Sequence, residues 1–271
     1  MISDKKRTLF PFTLNRVRQK AAGFNRLCDI RKNWIFYSLG LVIVFGLKYF
    51  FSSAGSNELD WILAPTVLWV RTLSGIQFSK VPDAGYINHD FRFIIAASCS
   101  GLQFITITFA TLFFAFVNRV RSNTGKFCWL GLNLVSSYLF TVFINGLRIA
   151  LSICLYKTNT GGGWLTPERL HTITGAAIYF SSLLAIWHLT DSVFPKDRGA
   201  SEGRASGRRL LTPVFWYFLI MLIIPFINRV CRNNGENFIE FAATVTAVCL
   251  LIVLLHDLSA LPDKRFTRKI F

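Results

Sequence analysis

The chain has 271 residues, of which 52% are hydrophobic and only 16% are charged. Soluble domains usually carry about 25% charged residues, so this composition excludes an ordinary soluble enzyme. The formal net charge is +16. No zinc-finger spacing and no basic face with interleaved aromatic residues accompanies that charge, so no nucleic-acid partner is expected.

The chain begins with a basic leader, residues 1–32, which contains nine Lys and Arg residues and only two Asp residues. An apolar run follows at 34–51. It is long enough to cross a bilayer, since about 20 helical residues span about 30 Å of hydrocarbon. Because the leader is long and the run is not a short signal sequence, we expect the run to stay in the membrane.

The next segment, 59–78, is apolar but is interrupted by Pro65, Arg71 and Gly75. A lone membrane-spanning helix rarely carries such residues, so we expect an interfacial helix on the outer membrane face. Residues 79–92 are polar and contain several turn formers, a pattern that favours a small hairpin.

Five further apolar runs predict an all-α, polytopic membrane helix bundle with about six transmembrane helices. These runs cover residues 93–117, 127–156, 170–189, 214–227 and 238–255. The loop at 194–212 is expected to be polar and flexible. The predicted organisation is therefore a basic leader (1–32), a transmembrane bundle (33–256, with a catalytic core at about 60–190) and a basic tail (257–271).

The distribution of basic residues predicts the orientation. The leader, the loops at 118–126 and 190–213, and the tail together hold 21 of the 30 Lys and Arg residues. Cytoplasmic segments of membrane proteins collect Lys and Arg, so both termini are expected in the cytoplasm. The chain must then cross the membrane once between residues 33 and 93, which fits a helix at 34–51 and no crossing at 59–78.

Six cysteines are spread along the chain without a Cys-x-x-Cys pair. They are Cys28, Cys99, Cys128, Cys154, Cys231 and Cys249. Nothing in their spacing predicts a disulfide framework or a metal site, and no metal or cofactor is expected. Five of them are interpreted as small buried hydrophobic residues. Cys99 is the exception, because of the residues that the topology brings near it.

Cys99, Arg148 and His171 belong to three successive predicted helices, at similar depth near the outer membrane face. Cys99 is expected about six residues, or roughly 9 Å, inside its helix. Arg148 lies before the outer end of a long helix, and His171 begins the next one. Ionisable residues within membrane helices normally face the bundle interior or a wet cavity. Asn145 shares a helix face with Arg148, and Gly146 allows another helix to approach.

These residue types suit nucleophilic catalysis by a thiol. The thiolate is the attacking species, and a neighbouring cation stabilises it. Arg148 provides a permanent positive charge for the thiolate or for an oxyanion, and His171 can take and return a proton. Ser100 and Gly101 are expected to let the substrate backbone come close. The glycine-rich loop at 158–164 is either a flexible rim of the site or an ordinary loop.

At these residues the chain resembles the exosortase/archaeosortase family of membrane cysteine transpeptidases. The shared elements are Ala-Ser-Cys-Ser-Gly-Leu at 97–102, Asn-Gly-Leu-Arg-Ile at 145–149, and His171 with Thr174 and Gly175 after it. The resemblance covers about residues 60–190. The two helices after residue 212 and the basic leader carry none of these motifs.

The resemblance implies that Cys99, Arg148 and His171 are catalytic. It further implies a multi-pass enzyme in the plasma membrane of a bacterium or archaeon, with its active site on the extracytoplasmic side. Such enzymes are thought to recognise secreted proteins by a C-terminal signal, made of a short motif, a membrane helix and a basic cluster. They cleave near the motif through a thioacyl enzyme and pass the acyl group to an acceptor.

Two other functions remain open from the residues alone. One is a non-enzymatic transporter or membrane scaffold, in which Arg148 binds an anion and Cys99 only packs. The other is a thiol-dependent lipid acyltransferase, which would use the same three side chains. A Cys99→Ala substitution separates the first from either enzyme, because a transporter tolerates the change and an enzyme does not.

Overall fold

The computed structural model describes residues 33–89, 93–157, 166–194, 202–230 and 236–259. The helices are α1 (Trp34–Ser53), α2 (Asp60–Ser74), α3 (Leu102–Phe116), α4 (Asn123–Lys157), α5 (Pro167–Val193), α6 (Glu202–Phe218), α7 (Ile224–Val230) and α8 (Glu236–Ser259). The strands are β1 (Ser79–Val81), β2 (Gly85–Asn88) and β3 (Phe93–Ile95). A π-helical turn, Leu219–Ile223, joins α6 to α7.

Within these ranges, six helical segments are long and apolar enough to cross a membrane. They are Trp34–Ser53, Ala97–Arg119, Asn123–Tyr156, Arg169–Val193, Leu210–Ile227 and Phe238–His256. Each overlaps one of the six apolar runs. The prediction of an all-α, polytopic bundle with six membrane helices is therefore confirmed.

The predicted loop between the fourth and fifth membrane helices is too long. The loop expected at 194–212 is helical from Glu202 onward, and only residues 195–201 of it lie outside the described ranges. Its glycines suggested a flexible loop, because each costs a helix about 1 kcal/mol. The segment continues directly into an apolar membrane helix, and that helix starts at Glu202 and includes Gly203 and Gly207. The leader (1–32), most of the tail and the glycine-rich loop at 158–164 lie outside the described residues.

Helix α3 forms the centre of the bundle, and twelve of its fifteen residues are buried. Its rings at Phe109, Phe113 and Phe116 form the main core with residues of α5 and α6, among them Phe180 and Tyr217. In a membrane protein, a helix that is apolar on all sides is either buried or faces lipid, and the burial of α3 shows that it is central. The two ends of α3 therefore hold fixed positions relative to α4 and α5.

Helix α2 packs lengthwise on α4. Trp61 stacks on Tyr138 with ring centroids 5.5 Å apart, and Trp69 stacks on Phe143 at 5.4 Å. The indole of Trp69 covers Gly146, where a Cβ would collide with it. The expected close helix approach at Gly146 is thus confirmed. With fifteen residues, α2 is shorter than the six spans, and its interfacial location stays a prediction.

The residues that interrupt segment 59–78 have different effects. Pro65 lies inside α2, which continues past it. Gly75 ends the helix with a left-handed φ of 69°, and its N–H donates to the carbonyl of Arg71 at 2.9 Å. This is a common helix C-terminus, for which glycine is the preferred residue.

The predicted hairpin at 79–92 is confirmed and gains a third strand. The three strands form an antiparallel sheet in the order β1-β2-β3, with Lys80 opposite Tyr86 and Tyr86 opposite Ile95. A second apolar cluster, which includes Ile62, Ile95 and Ile149, joins the sheet and α2 to α3 and α4. The sheet and α2 therefore cover one end of the bundle beside the start of α3.

The opposite end of the bundle carries its own polar contacts. Lys126 Nζ donates to Asn33 Oδ1 at 2.6 Å, and Asn33 Nδ2 donates to Asn118 Oδ1 at 2.9 Å. Arg119 pairs with Asp191 at 2.7 Å. This is the end at which the leader and the basic loop at 118–126 join the helices. The sheet and the start of α3 lie at the other end, away from these basic segments.

The contact between the sheet and α2 has a predictable pH dependence. Asp60 Oδ2 pairs with Lys80 at 2.9 Å, and the Tyr86 hydroxyl donates to Asp60 Oδ1 at 2.8 Å. The hydrogen bonds from Lys80 and Tyr86 lower the pKa of Asp60 below its ordinary 3.8. Burial, with the hydrogen bond to Asp60, raises the pKa of Tyr86 to about 12.

The sign of each shift gives the expected profile. The contribution of Asp60 is lost as pH falls below about 4 and through its folded pKa, and that of Tyr86 is lost as pH rises from about 10 to 12. The thermal unfolding midpoint of the purified protein should therefore fall both below about pH 4 and above about pH 10. Asp60→Asn should cost at most about 1 kcal/mol at neutral pH and reduce the acid loss. An acid loss equal to that of the wild type would contradict this account.

Candidate active site

Cys99 lies on a short turn between the sheet and α3. After β3, Ala96 is extended, and Ala97–Cys99 form one 3₁₀ turn that is closed by a hydrogen bond from Cys99 N–H to Ala96 O at 2.8 Å. Ala97 N–H donates to Ser56 Oγ at 3.2 Å, which ties this turn to the segment before α2. The expectation that Cys99 lies about six residues inside a helix is therefore wrong. The thiol precedes the helix and is partly exposed.

Gly101 explains why the helix starts after the cysteine. Its φ of 74° is left-handed, a conformation that glycine adopts without strain, and α3 begins at Leu102. A Cβ on Gly101 would lie 3.0 Å from the side chains of both Asn145 and Thr141, so the turn presses directly on α4. Ser100 is fully buried. Both residues thus support the turn from within, and the expected approach of a substrate backbone over them does not fit their burial.

Asn145 connects this turn to α4. Its side chain is fully buried, and Nδ2 donates to the carbonyl of Cys99 at 2.6 Å. Its Oδ1 accepts from the hydroxyl of Tyr179 at 2.6 Å and from Arg148 Nη1 at 3.3 Å. All three partners agree on one orientation of the amide, with oxygen toward the donors and nitrogen toward the carbonyl.

Arg148 is the centre of the cluster and is only 7% exposed. Nη1 donates to Asn145 and, at 3.1 Å, to the hydroxyl of Tyr179, whose ring lies 5.2 Å from the guanidinium carbon. Nη2 contacts Nε2 of His171. Among the described residues, no carboxylate forms an ion pair with Arg148, and its Nε has no hydrogen-bond partner.

A buried cation surrounded by neutral groups is unusual, because burying a charge is costly unless it is paired. The positive charge of Arg148, which has no carboxylate partner among the described residues, is therefore available to an anion. An ionised thiol or the oxyanion of a reacting carbonyl fits that role, since charge-assisted hydrogen bonds are the strong ones.

His171 lies in the first turns of α5, which begins with two local signals. Thr166 caps the helix by accepting from Arg169 N–H at 3.3 Å, and Pro167 occupies the first turn. Because a guanidinium only donates hydrogen bonds, Nε2 of His171 must accept from Arg148. The imidazole in this arrangement is neutral and carries its proton on Nδ1.

The other two residues of the His171 motif have separate roles. Thr174 donates its hydroxyl to the carbonyl of Leu170 at 2.8 Å, so this side chain bonds to its own helix. Gly175 lets α5 approach α4, because a Cβ there would lie 3.2 Å from Arg148 Nε. Gly175 therefore makes room for the guanidinium.

Gly175→Ala tests that role. We expect the helix to gain up to about 1 kcal/mol of propensity while the activity at Cys99 falls by about tenfold, since the added methyl group displaces Arg148. Gly131→Ala on α4 is the matched control, because nothing lies within 4 Å of its Cβ position. Equal activity of the two variants, measured by the processing assay described below, would show that the space at Gly175 does not matter.

The sequence interpretation missed Tyr179. It lies eight residues after His171 and four after Gly175, so the three residues share one face of α5. Its ring stacks on Phe104 of α3, with centroids 4.4 Å apart and an interplanar angle of 11°. A hydroxyl at helical spacing from a suspected catalytic residue, within an otherwise apolar span, was the available signal.

The structure thus brings the predicted residues together at the end of the bundle that carries the sheet. Arg148 contacts His171 directly and reaches the backbone of Cys99 through Asn145. The grouping offers a thiol, a buried cation and a neutral imidazole. Among the described residues, no group of three or more metal-ligating side chains occurs.

Comparisons with protein-family models, with curated proteins and with solved structures found no match to this chain.

Proposed function

We propose that this protein is an exosortase-like membrane cysteine transpeptidase, which cleaves a C-terminal sorting signal of secreted proteins through a thioacyl intermediate. One observation carries the proposal. A buried arginine without a carboxylate partner among the described residues hydrogen-bonds to His171 and, through Asn145, to the backbone of Cys99. The three catalytic side chains of the resembled family thus come from the turn before α3, from α4 and from α5.

The first half-reaction forms a thioester and releases an amine. Cys99 Sγ attacks the carbonyl carbon of the scissile peptide bond, and the carbonyl oxygen becomes an oxyanion that faces Arg148. When the substrate carbonyl comes close to Arg148, the guanidinium turns from His171 Nε2 toward the carbonyl oxygen, because the developing oxyanion is the stronger acceptor. The freed Nε2 takes the thiol proton as Sγ attacks and gives it to the departing nitrogen as the C–N bond breaks.

The second half-reaction transfers the acyl group. A nucleophile of the acceptor gives its proton to His171 Nε2 and attacks the thioester carbon, and Cys99 leaves as the thiolate. Arg148 again stabilises the oxyanion and then the thiolate, and His171 returns its proton to the thiolate, which restores the starting state. No step requires a metal or another cofactor.

The location of the site supports a reaction outside the cytoplasm. Cys99, Arg148 and His171 lie at the bundle end opposite the basic segments, which are predicted to be cytoplasmic in the plasma membrane of a prokaryote. A secreted protein held by a C-terminal membrane helix would present the residues just before that helix at this level. The substrate helix would lie in the bilayer beside the bundle.

The proposal is tested by Cys99→Ala in the native host. Secreted proteins that end in an apolar helix and a basic cluster should keep that helix, as detected by a C-terminal tag and by proteomics of their C-terminal peptides. Cys154→Ala is the matched control, because Cys154 is an exposed free thiol near the outer end of α4. Loss of the C-terminal helix at the wild-type rate in Cys99→Ala cells would contradict the proposal and favour a transporter or scaffold.

A further inference from the structure

Tyr179 is a buried polar residue to which the reaction above assigns no role. Its side chain is 7% exposed, and its ring is held by the stack on Phe104. Its hydroxyl lies between Arg148 and Asn145, at 3.1 Å from Arg148 Nη1 and 2.6 Å from Asn145 Oδ1.

The chemistry of the partners fixes the direction of these hydrogen bonds. A guanidinium only donates, so the Tyr179 oxygen accepts from Arg148, and the hydroxyl proton is left for Asn145 Oδ1. Asn145 Nδ2 then donates to the carbonyl of Cys99 at 2.6 Å. The result is one directed chain, from Arg148 through Tyr179 and Asn145 to the turn that carries the thiol.

We propose that Tyr179 is a positioning residue, whose hydroxyl holds Arg148 and the Cys99 turn in a fixed relation by setting the Asn145 amide. The inference rests on the proposed function and goes beyond it by adding a residue from outside the family motifs. An asparagine side chain can rotate by half a turn, which would exchange its oxygen and nitrogen. That rotation would place the amide NH₂ against the donors and remove the hydrogen bond to Cys99.

Arg148 alone constrains the amide less well than Tyr179 does. Its own bond to Asn145 Oδ1 is 3.3 Å long, near the limit for an N–H donor, whereas the Tyr179 bond is 2.6 Å. Loss of the Tyr179 hydroxyl therefore removes the shorter constraint on Asn145 and one acceptor of the guanidinium. The phenyl ring that remains still stacks on Phe104 and still faces the guanidinium.

Tyr179→Phe tests the inference without knowledge of the substrate. The probe is iodoacetamide, and the readout is the alkylation rate of Cys99 in the purified full chain, followed across pH by mass spectrometry of the Cys99 peptide. We expect the rate at neutral pH to fall by about tenfold, because a displaced guanidinium stabilises the attacking sulfur less.

Tyr138→Phe is the control for a purely structural effect. The Tyr138 hydroxyl also makes a hydrogen bond between helices, donating to the carbonyl of Trp61 at 2.9 Å, but it takes no part in the directed chain. Tyr179→Phe should lose more thermal stability, because its hydroxyl makes two buried hydrogen bonds and that of Tyr138 makes one exposed bond. Only Tyr179→Phe should alter the reactivity of Cys99. An unchanged alkylation profile in Tyr179→Phe, or an equal change in Tyr138→Phe, would overturn the inference.

Asn145→Ala gives a second test in the same assay. If Tyr179 acts through Asn145, adding Tyr179→Phe to Asn145→Ala should change the alkylation rate less than twofold, instead of about tenfold. Full additivity of the two substitutions would show that Tyr179 acts by another route. If Tyr179→Phe alone fails to fold, Asn145→Ala by itself tests the chain, because it removes the hydrogen bond to the Cys99 carbonyl, and an unchanged alkylation rate there would overturn the inference.

The outcomes separate this inference from the proposed function. If Cys99→Ala leaves secreted proteins unprocessed but Tyr179→Phe leaves both processing and alkylation at wild-type rates, only the role of Tyr179 fails. If Cys99→Ala cells process their secreted proteins normally, the enzymatic proposal fails, and with it the role of Tyr179 in that reaction. The alkylation assay then still reports whether the hydroxyl orders the thiol.

Discussion

Arg148→Lys should lower the rate of signal processing by about 10²–10³-fold, the loss that follows removal of one oxyanion-stabilising donor. The guanidinium donates hydrogen bonds to Asn145 and Tyr179 from Nη1 and contacts His171 through Nη2, so it has polar contacts on two sides. A lysine ammonium is a single point donor on a flexible stem and cannot reproduce this fork. The measurement is the rate at which a tagged substrate loses its C-terminal helix in cells.

Arg71→Lys is the control for a change of cation type at a site without this geometry. Arg71 lies exposed in the last turn of α2. We expect less than about a twofold change there, because exposed charges interact weakly with their surroundings. Full activity of Arg148→Lys would show that only positive charge is needed, and that the hydrogen bonds from both Nη1 and Nη2 are not.

Gly101→Ala should reduce processing by about 100-fold while the protein still reaches the membrane. Two effects combine. A left-handed φ costs a non-glycine residue about 1–2 kcal/mol. The new methyl group would also lie 3.0 Å from the Asn145 side chain, which donates to the carbonyl of Cys99. The thiol would therefore shift relative to Arg148.

Gly75→Ala separates these two effects. Gly75 has a similar φ of 69°, but nothing lies within 4 Å of its Cβ position. Gly75→Ala should therefore show only the cost of the left-handed φ, about 1–2 kcal/mol of stability measured by thermal unfolding, without a loss of processing rate. If Gly75→Ala and Gly101→Ala reduce processing equally, backbone strain alone accounts for the effect, and the contact of Gly101 with Asn145 is unimportant.

The membrane helices were predictable because the physics of the bilayer acts on composition alone. About 20 apolar residues are required for each crossing, and five of the six runs come close to that length or exceed it. The run at 214–227 is shorter, and the structure extends it to Leu210–Ile227. Each run coincides with a helix in the structure. The segment 59–78 was set apart from the spans by its interruptions at Pro65, Arg71 and Gly75. Helix α2 has fifteen residues, and its interfacial location stays a prediction.

The details at Cys99 were not predictable in the same way. Hydropathy does not distinguish a short apolar strand from the first turn of an apolar helix. The predicted helix therefore started at residue 93 and wrongly included β3 and the 3₁₀ turn. The left-handed conformation of Gly101 depends on the contact between the Cys99 turn and α4. Such a contact is tertiary, and single-sequence patterns do not report it.

The residues of the candidate site were predicted only in part. Arg148 was noticeable because a charge inside a membrane helix requires an explanation. Asn145 followed from its spacing on the same helix. Tyr179 was missed because a tyrosine in an apolar span is common, and only the hydrogen bonds to Asn145 and Arg148 distinguish it from a packing residue.

The central claim is that Cys99 forms a thioester with the cleaved protein, and hydroxylamine tests it most directly. Hydroxylamine attacks thioesters readily and would replace the natural acceptor when it is added to membranes from the native host. The account predicts that secreted proteins cut at their sorting signal then carry a C-terminal hydroxamate in wild-type membranes and none in Cys99→Ala membranes. Equal amounts of hydroxamate in both, or cleavage in the wild type without any hydroxamate, would contradict it.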